Sequence, residues 1–263
     1  MERVRSPAVS GTFYPDDPAA LHAAVQGYLR SCQSSEEGAP AKALIVPHAG
    51  YVYSGPIAAS GYAHIADRRS EIQRVVLLGP AHRVAVEGLA APTASRFTTP
   101  LGDVEVDSHA LARVVALPQV VVSDAAHSFE HSLEVHLPFL QELLADFSLV
   151  PLVVGDASPE QVAEVLELLW GGAETLIVVS SDLSHYLDYA TARRMDSATS
   201  RAIEALDPTA IDFEQACGRI PVQGLLLVAR RHGLRATAVD VRNSGDTAGP
   251  RDQVVGYGAY VLG

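Results

Sequence analysis

The chain has 263 residues, 48% of them hydrophobic, and a formal net charge of −12 from 31 acidic and 19 basic residues. That length suits one large domain or two small ones, and the apolar fraction supplies a sizeable core. The acidic balance argues against nucleic acid or an anionic membrane as partner, no apolar run is long enough to span a bilayer, and two cysteines, Cys32 and Cys217, make no disulfide framework.

The opening MERVRSPAVSG carries no apolar signal-peptide core. The expected compartment is therefore a reducing cytoplasm, in which Cys217 persists as a free thiol. After Tyr14 a helix begins: Asp17 suits the cap, Pro18 the first helical position, and Leu21, Val25, Tyr28 and Leu29 share one face. Ser34 to Pro40 is small, acidic and Gly/Pro-containing, hence a surface loop. A pattern then repeats, in which a short continuous apolar run ends in a polar turn. Ala43–Val46 runs into Pro47-His48-Ala49-Gly50, Val75–Leu78 into Gly79-Pro80-Ala81-His82, Leu149–Val154 into Gly155-Asp156, and Leu176–Val179 into Ser180-Ser181-Asp182. Continuous rather than alternating runs predict strands buried on both faces, in a mostly parallel sheet flanked by helices. Helices are expected at Ile57–Asp67, Ser132–Asp146, Pro159–Leu169, Ala190–Ala205 and Val222–His232. Two further strands are expected at Leu234–Asn243 and Gln253–Leu262, with short antiparallel strands within Gly88–Asp107. No charge run, low-complexity tract or internal repeat divides the chain, so the expected fold is a single α/β domain over residues 1–263.

In open α/β sheets, ligands bind beyond the carboxyl ends of the strands. Three predicted strands lead there to an imidazole: His48, His82 and His185, with Asp182 three residues before the last. One such histidine is more often a hydrogen-bonded structural residue. Three in the same context favour a shared site, and imidazole is the commonest protein metal ligand. No HExxH or CxxC signature accompanies them. His131 and Glu134 stand three residues apart, and Glu130 and Glu134 also suit a polar helix start. His131 is a candidate lining residue and His136 a peripheral one. On its own context Cys217 is by default an inert buried thiol, and Cys32, at the end of a predicted surface helix, is structural. Arg219 and Arg242 are candidate anion contacts, and the polar turn Asn243-Ser244-Gly245-Asp246 a candidate substrate contact.

Taken together, several segments resemble the Memo family, which in bacteria and archaea includes the AmmeMemoRadiSam system protein B. They are Arg5–Pro15, Pro47–Gly55, Leu78–His82, Glu130–Glu134, Ser180–Tyr186, Cys217–Arg219 and Asn243–Thr247, spread over essentially the whole chain. The resemblance implies a fold similar to class III extradiol dioxygenases, which use non-haem iron(II). It places the metal ligands on His48, His82 and Cys217, with His185 as general acid/base and Asp182 orienting it or completing the shell. Tyr51, Ser54, His131, Arg219, Asn243 and Asp246 fall on the pocket or substrate-binding side. Extradiol enzymes bind iron with two histidines and a carboxylate, and a thiolate in the third position is softer, so copper and zinc are alternatives to iron(II). His136 stands where the family pattern more usually has Gln. The implied function is a mononuclear metal-dependent, dioxygenase-like oxidoreductase acting on a small molecule or a modification target. Radical-SAM and AMMECR-type system proteins are the implied partners. Two other readings stay open: a binding or scaffold protein that retains the pocket, since some Memo relatives are associated with phosphotyrosine peptides, and a metal-dependent hydrolase.

Overall fold

The continuous apolar runs become the centre of a nine-stranded sheet. The computed structural model describes residues 3–32 and 40–263, so the loop expected at Ser34 to Pro40 lies, Pro40 apart, outside the described residues. The first half of the chain runs β1 (Val4–Arg5), α1 (Pro18–Ser31), β2 (Ala43–Val46), α2 (Tyr51–Tyr62), β3 (Arg74–Pro80), β4 (Leu89–Ala91), β5 (Arg96–Thr99) and β6 (Gly102–Glu105). There follow α3 (Ser108–Val115), β7 (Val120–Val122), α4 (Asp124–Ser128), α5 (Leu137–Leu143), β8 (Ser148–Val154), α6 (Pro159–Leu169) and β9 (Thr175–Ser180). The last part holds β10 (His185–Leu187), α7 (Tyr189–Glu204), α8 (Arg219–His232), β11 (Ala236–Asn243), α9 (Ser244–Thr247) and β12 (Val254–Leu262).

Strands β2, β9, β3 and β8 lie side by side and parallel. The flanks are antiparallel: β12 on β2, β11 and β10 on β12, and β4 on β8, with β7 parallel to β4 beyond. The sheet is therefore mixed around a parallel core. Successive side chains in a strand point to opposite faces, and the core divides accordingly. Leu44, Val46, Val75, Leu77, Leu176 and Val178 face a layer that includes α1, α2 and α5. Ala43, Ile45, Val76, Leu78, Ile177 and Val179 face a layer that includes α3, α6 and α8. A second sheet of β1, β5 and β6 carries the antiparallel hairpin expected within Gly88–Asp107. Among the described residues, no helix is long and apolar enough to cross a membrane.

Three helices depart from the sequence reading, α8 by starting at Arg219 rather than Val222. The helix expected at Ile57–Asp67 starts earlier, as α2 at Tyr51, accommodates Pro56, and passes into a 3-10 turn at Ala63–Arg68. The one expected at Ser132–Asp146 is confined to α5, Leu137–Leu143, after a 3-10 turn at Glu134–His136. Pro138 has no N–H to donate and fits only the first turn of a helix. The helix begins beside it, and residues 130–136 keep an irregular path.

That path is tied down by Glu134, whose side chain has no exposure. Its carboxylate pairs with buried Arg5 and accepts from the Ala8 and Val9 backbone N–H groups (2.7 and 3.0 Å) and the Tyr14 hydroxyl (2.6 Å). Arg5 also donates to the His127 and Glu130 carbonyls. Removing one partner of a buried ion pair strands the other charge and costs about 3–5 kcal/mol. Arg5→Met is expected to lose stability of that size in urea unfolding, and a loss below about 1 kcal/mol would show that the pair does not anchor the segment.

Candidate metal centre

Because β2, β9 and β3 are neighbours, the residues beyond their carboxyl ends share one rim. His48, Asp182 and His82 are each the second residue past their strand. The irregular segment supplies the third imidazole of the cluster. The rings of His48 and His82 lie 5.1 Å apart, those of His48 and His131 5.4 Å, and those of His82 and His131 4.7 Å. One nitrogen from each of the three lies within 4.8 Å of the other two. Nitrogens bound at about 2.1 Å to one tetrahedral ion stand about 3.4 Å apart, so the cluster has to draw in by up to about 1.4 Å to share an ion. Gly79 lets the segment seat against the end of β3: a Cβ there would meet Ser132 Oγ at 2.7 Å and Leu133 Cδ2 at 2.9 Å.

Glu130 orients two of these histidines. Its carboxylate accepts from His82 Nδ1 (2.9 Å) and from the backbone N–H groups of His82 (2.6 Å), His131 (3.0 Å) and Ser132 (3.0 Å). These bonds outweigh its desolvation and hold its acid strength at a pKa of about 2. A carboxylate accepts only, so His82 Nδ1 carries hydrogen and its Nε2 lone pair is free for a ligand. Burial, reinforced by neighbouring imidazoles, holds His48 well below the usual histidine range; burial and the nearby His82 put His131 at about 4. Both are thus neutral at pH 7, the form that binds metal. His131 Nδ1 is buried, 3.4 Å from Glu130 Oε1 and without a hydrogen-bond partner. Neutral imidazoles, a carboxylate behind one of them and an orphaned nitrogen fit a transition metal.

Cys217 reaches the same rim. Gly218 has no Cβ to collide with the Ser180 carbonyl, and its N–H donates to Ser181 Oγ (3.0 Å). The Cys217 N–H donates to the Asp182 carbonyl (3.3 Å), the Asp182 N–H points back to Cys217 Sγ (3.3 Å), and Sγ lies 3.4 Å from His48 Nε2. Burial and the nearby Asp182 push the thiol far up from its ordinary value. Asp182 Oδ1 accepts the His48 backbone N–H (2.8 Å), and burial raises its carboxyl to about 6. His185, at the start of β10, favours the charged form of Asp182 through space, without a hydrogen bond between them.

The remaining sequence-selected residues divide. Arg219, at the start of α8, lines a cavity of about 280 Å³ together with Ala81, Cys217, Ile220 and Phe213; its guanidinium stacks over Phe213. Tyr51 and Ser54 commit their hydroxyls to backbone, to the Val135 carbonyl (2.7 Å) and the Ala49 carbonyl (2.9 Å). They brace the site from beneath. Asn243 and Asp246 cap α9 reciprocally, and Asp246 accepts the Tyr189 hydroxyl (2.6 Å). Those two line a different cavity, of about 240 Å³, whose lining includes none of the imidazoles. Arg242 pairs with Asp240. Cys32 Sγ faces the Tyr28 carbonyl at 3.3 Å, a structural contact.

Sequence reasoning missed Glu130, Ser180 and the burial of His136. His136 is almost fully enclosed, between Ser180 and Tyr62. Strand parity was the available signal for Ser180, since it follows Leu176 and Val178 onto the same face of the sheet.

An imidazole cluster at the strand-end rim of an α/β sheet defines a candidate mononuclear metal site. The Memo-like protein family model matches residues 5–261, and the chain belongs to the Memo family. A MEMO1 family protein of Aquifex aeolicus is 37% identical, with 97% of each chain covered. One of Aeropyrum pernix is 38% identical over 98% of this chain and 99% of its own. The crystal structure of an uncharacterized protein from Escherichia coli K12 shares the fold, with a TM-score of 0.52 and 14% identity, over 83% of this chain and 98% of that one.

The buried imidazoles make stability acid-sensitive. His127 and His131 are lowered to about 4, His136 to about 3 and His48 well below the usual histidine range, all through burial first, against about 6.5 in an unfolded chain. Between about pH 4 and 6.5 the unfolded state therefore binds protons that these groups refuse in the fold, and stability falls as pH falls. Asp182 and Asp196, raised to about 6, oppose this in the same window, but they are two against four. The urea midpoint of metal-free protein is expected to drop from pH 7 to pH 5. His136→Gln should reduce proton uptake on unfolding at pH 5 by about one. An unchanged midpoint across that range would contradict the burial argument.

Proposed function

We propose that the protein, one Memo-like domain acting in the cytoplasm, is a mononuclear metal-dependent oxidoreductase with dioxygenase-like chemistry and iron(II) as its metal. The observation that carries this reading is the convergence of three imidazole nitrogens within 4.8 Å at the strand-end rim. His48 and His82 are the two imidazole ligands, and Cys217 is the third. Donors about 2.1 Å (nitrogen) and 2.3 Å (sulfur) from one tetrahedral ion stand about 3.6 Å apart; His48 Nε2 and Cys217 Sγ lie 3.4 Å apart. His131 completes the imidazole cluster. Iron(II) in such a site supplies redox chemistry with dioxygen.

The chain's own groups do the rest. Asp182 fixes the His48 backbone and, with its carboxyl near 6, keeps a proton exchangeable close to neutral pH. His185 serves as general acid/base at the same rim. The substrate occupies the cavity bounded by Ala81 and Cys217, whose walls of Val86, Ile220 and Pro221 suit a small apolar molecule. Among the described residues Arg219 has no carboxylate partner in an ion pair, and it suits an anionic group on that molecule. Radical-SAM and AMMECR-type proteins are the partners to test.

Metal analysis after anaerobic purification tests the ligands. His48→Ala and His82→Ala are each expected to lose most of the bound iron, and unchanged iron in both would remove them from the site. In the intact protein benzoate is the probe for the cavity: Arg219→Met should weaken it about tenfold or more by removing a charge-assisted bond, with benzamide unaffected. Equal loss for both probes would argue against an anion contact.

A further inference from the structure

Ser180 ends β9 with no exposed surface. Its Oγ lies 2.6 Å from the Ser132 carbonyl oxygen, 2.6 Å from His48 Nδ1 and 2.8 Å from His136 Nε2. On its far side His136 Nδ1 lies 3.0 Å from the Tyr62 hydroxyl. A hydroxyl has one proton and two lone pairs. A carbonyl oxygen only accepts, so the Ser180 proton goes to Ser132. The two lone pairs are then left for two imidazoles, and each of those nitrogens must bring its own hydrogen. His48 therefore carries its proton on Nδ1 and His136 on Nε2. The second nitrogen of each neutral ring is bare: His136 Nδ1 accepts from Tyr62, and His48 Nε2 faces Cys217 Sγ. Any other distribution sets lone pairs against each other in a place water does not reach, with Ser132 fully buried and His136 and His48 almost so.

We infer that the Ser132 carbonyl and the Ser180 hydroxyl form a positioning relay that fixes His48 in the Nδ1–H tautomer and turns its Nε2 lone pair toward the rim, while the same proton count sets His136 as Nε2–H with Tyr62 donating to its Nδ1. The tautomer follows from the hydroxyl's single proton. Its use rests on the reading of His48 as a metal ligand. The relay joins the last residue of β9 to Ser132 and His136, so it is set when residues 130–136 close over the ends of β2 and β9, and it needs no ligand to form. Glu130 does for His82 by charge what Ser180 does for His48 by proton count. The two leading imidazoles thus receive their orientation from different elements. At position 136 the relay asks for one donor toward Ser180 and one acceptor toward Tyr62. A Gln amide offers both and a Leu neither.

Two readouts test it, and they separate its failure from that of the metal reading. Long-range nitrogen–proton NMR of the metal-free protein, with His48 assigned by substitution, is expected to show His48 as Nδ1–H and His136 as Nε2–H at pH 7. His48 found as Nε2–H would overturn the relay whatever metal the protein binds. Cobalt(II) titration is the second readout. Ser180→Ala should mix the His48 tautomers and weaken cobalt binding by about 10–100-fold, the usual loss for an outer-sphere partner. His136→Gln should keep tautomer and affinity within a few-fold of the parent, because the Ser132 carbonyl still takes the Ser180 proton. A Ser180→Ala variant that matches the parent in both would leave Ser180 a packing residue only. If the parent protein binds no metal, the proposed function fails, while the tautomer still stands or falls on its own spectrum.

Discussion

Two buried carboxylates four residues apart hold the site together, and they face in different directions. Glu134 takes four donors from the first part of the chain, and Glu130 takes four from the turn after β3 and from its own segment. A carboxylate enclosed without such partners would cost several kcal/mol. With them, residues 130–136 have essentially one low-energy path, and it runs across the strand-end rim. His131 therefore meets His48 and His82 without sitting on a regular element itself.

The parallel core explains why the rim exists. Four neighbouring strands point the same way, so their turns collect at one edge. Helices cover both faces, which leaves that edge as the place where polar side chains meet. Most of the polar groups there are satisfied by one another: Asp182 by the His48 backbone, Cys217 by Asp182, Ser181 by Gly218. Among the described residues, His131 Nδ1 and Ser184 Oγ are the exceptions on the rim, buried polar atoms with no hydrogen bond of their own. The site is thus ordered before it is filled, which lowers the reorganisation a ligand requires.

Much of this was legible in the sequence, for a physical reason. Apolar runs bounded by Pro, Gly or Ser mark buried strands, and an imidazole just past such a run can only be at a strand end. That logic located His48 and His82. It failed for Glu130, because the role of that residue depends on Pro138 holding the following helix to a late start. It failed for His136 because periodicity cannot say what lies across the sheet. Cys217 came from family resemblance alone, since nothing in the Ala216-Cys217-Gly218 corner says which strand end it will meet. Tyr51 and Ser54 carry the polar groups expected of a pocket, yet the fold uses both to hold backbone.

The Arg5–Glu134 anchor bears on how the chain matures. The residues around the rim come from positions 5 to 217, so almost all of the polypeptide must exist before the pocket can close. Contacts of such long sequence separation form late and slowly. Emerging from the ribosome, the amino-terminal strap waits for more than 120 residues before its carboxylate partner appears, and His48 waits longer for Cys217. Early in synthesis the chain holds isolated histidines rather than a cluster, so the candidate site exists only in the finished fold.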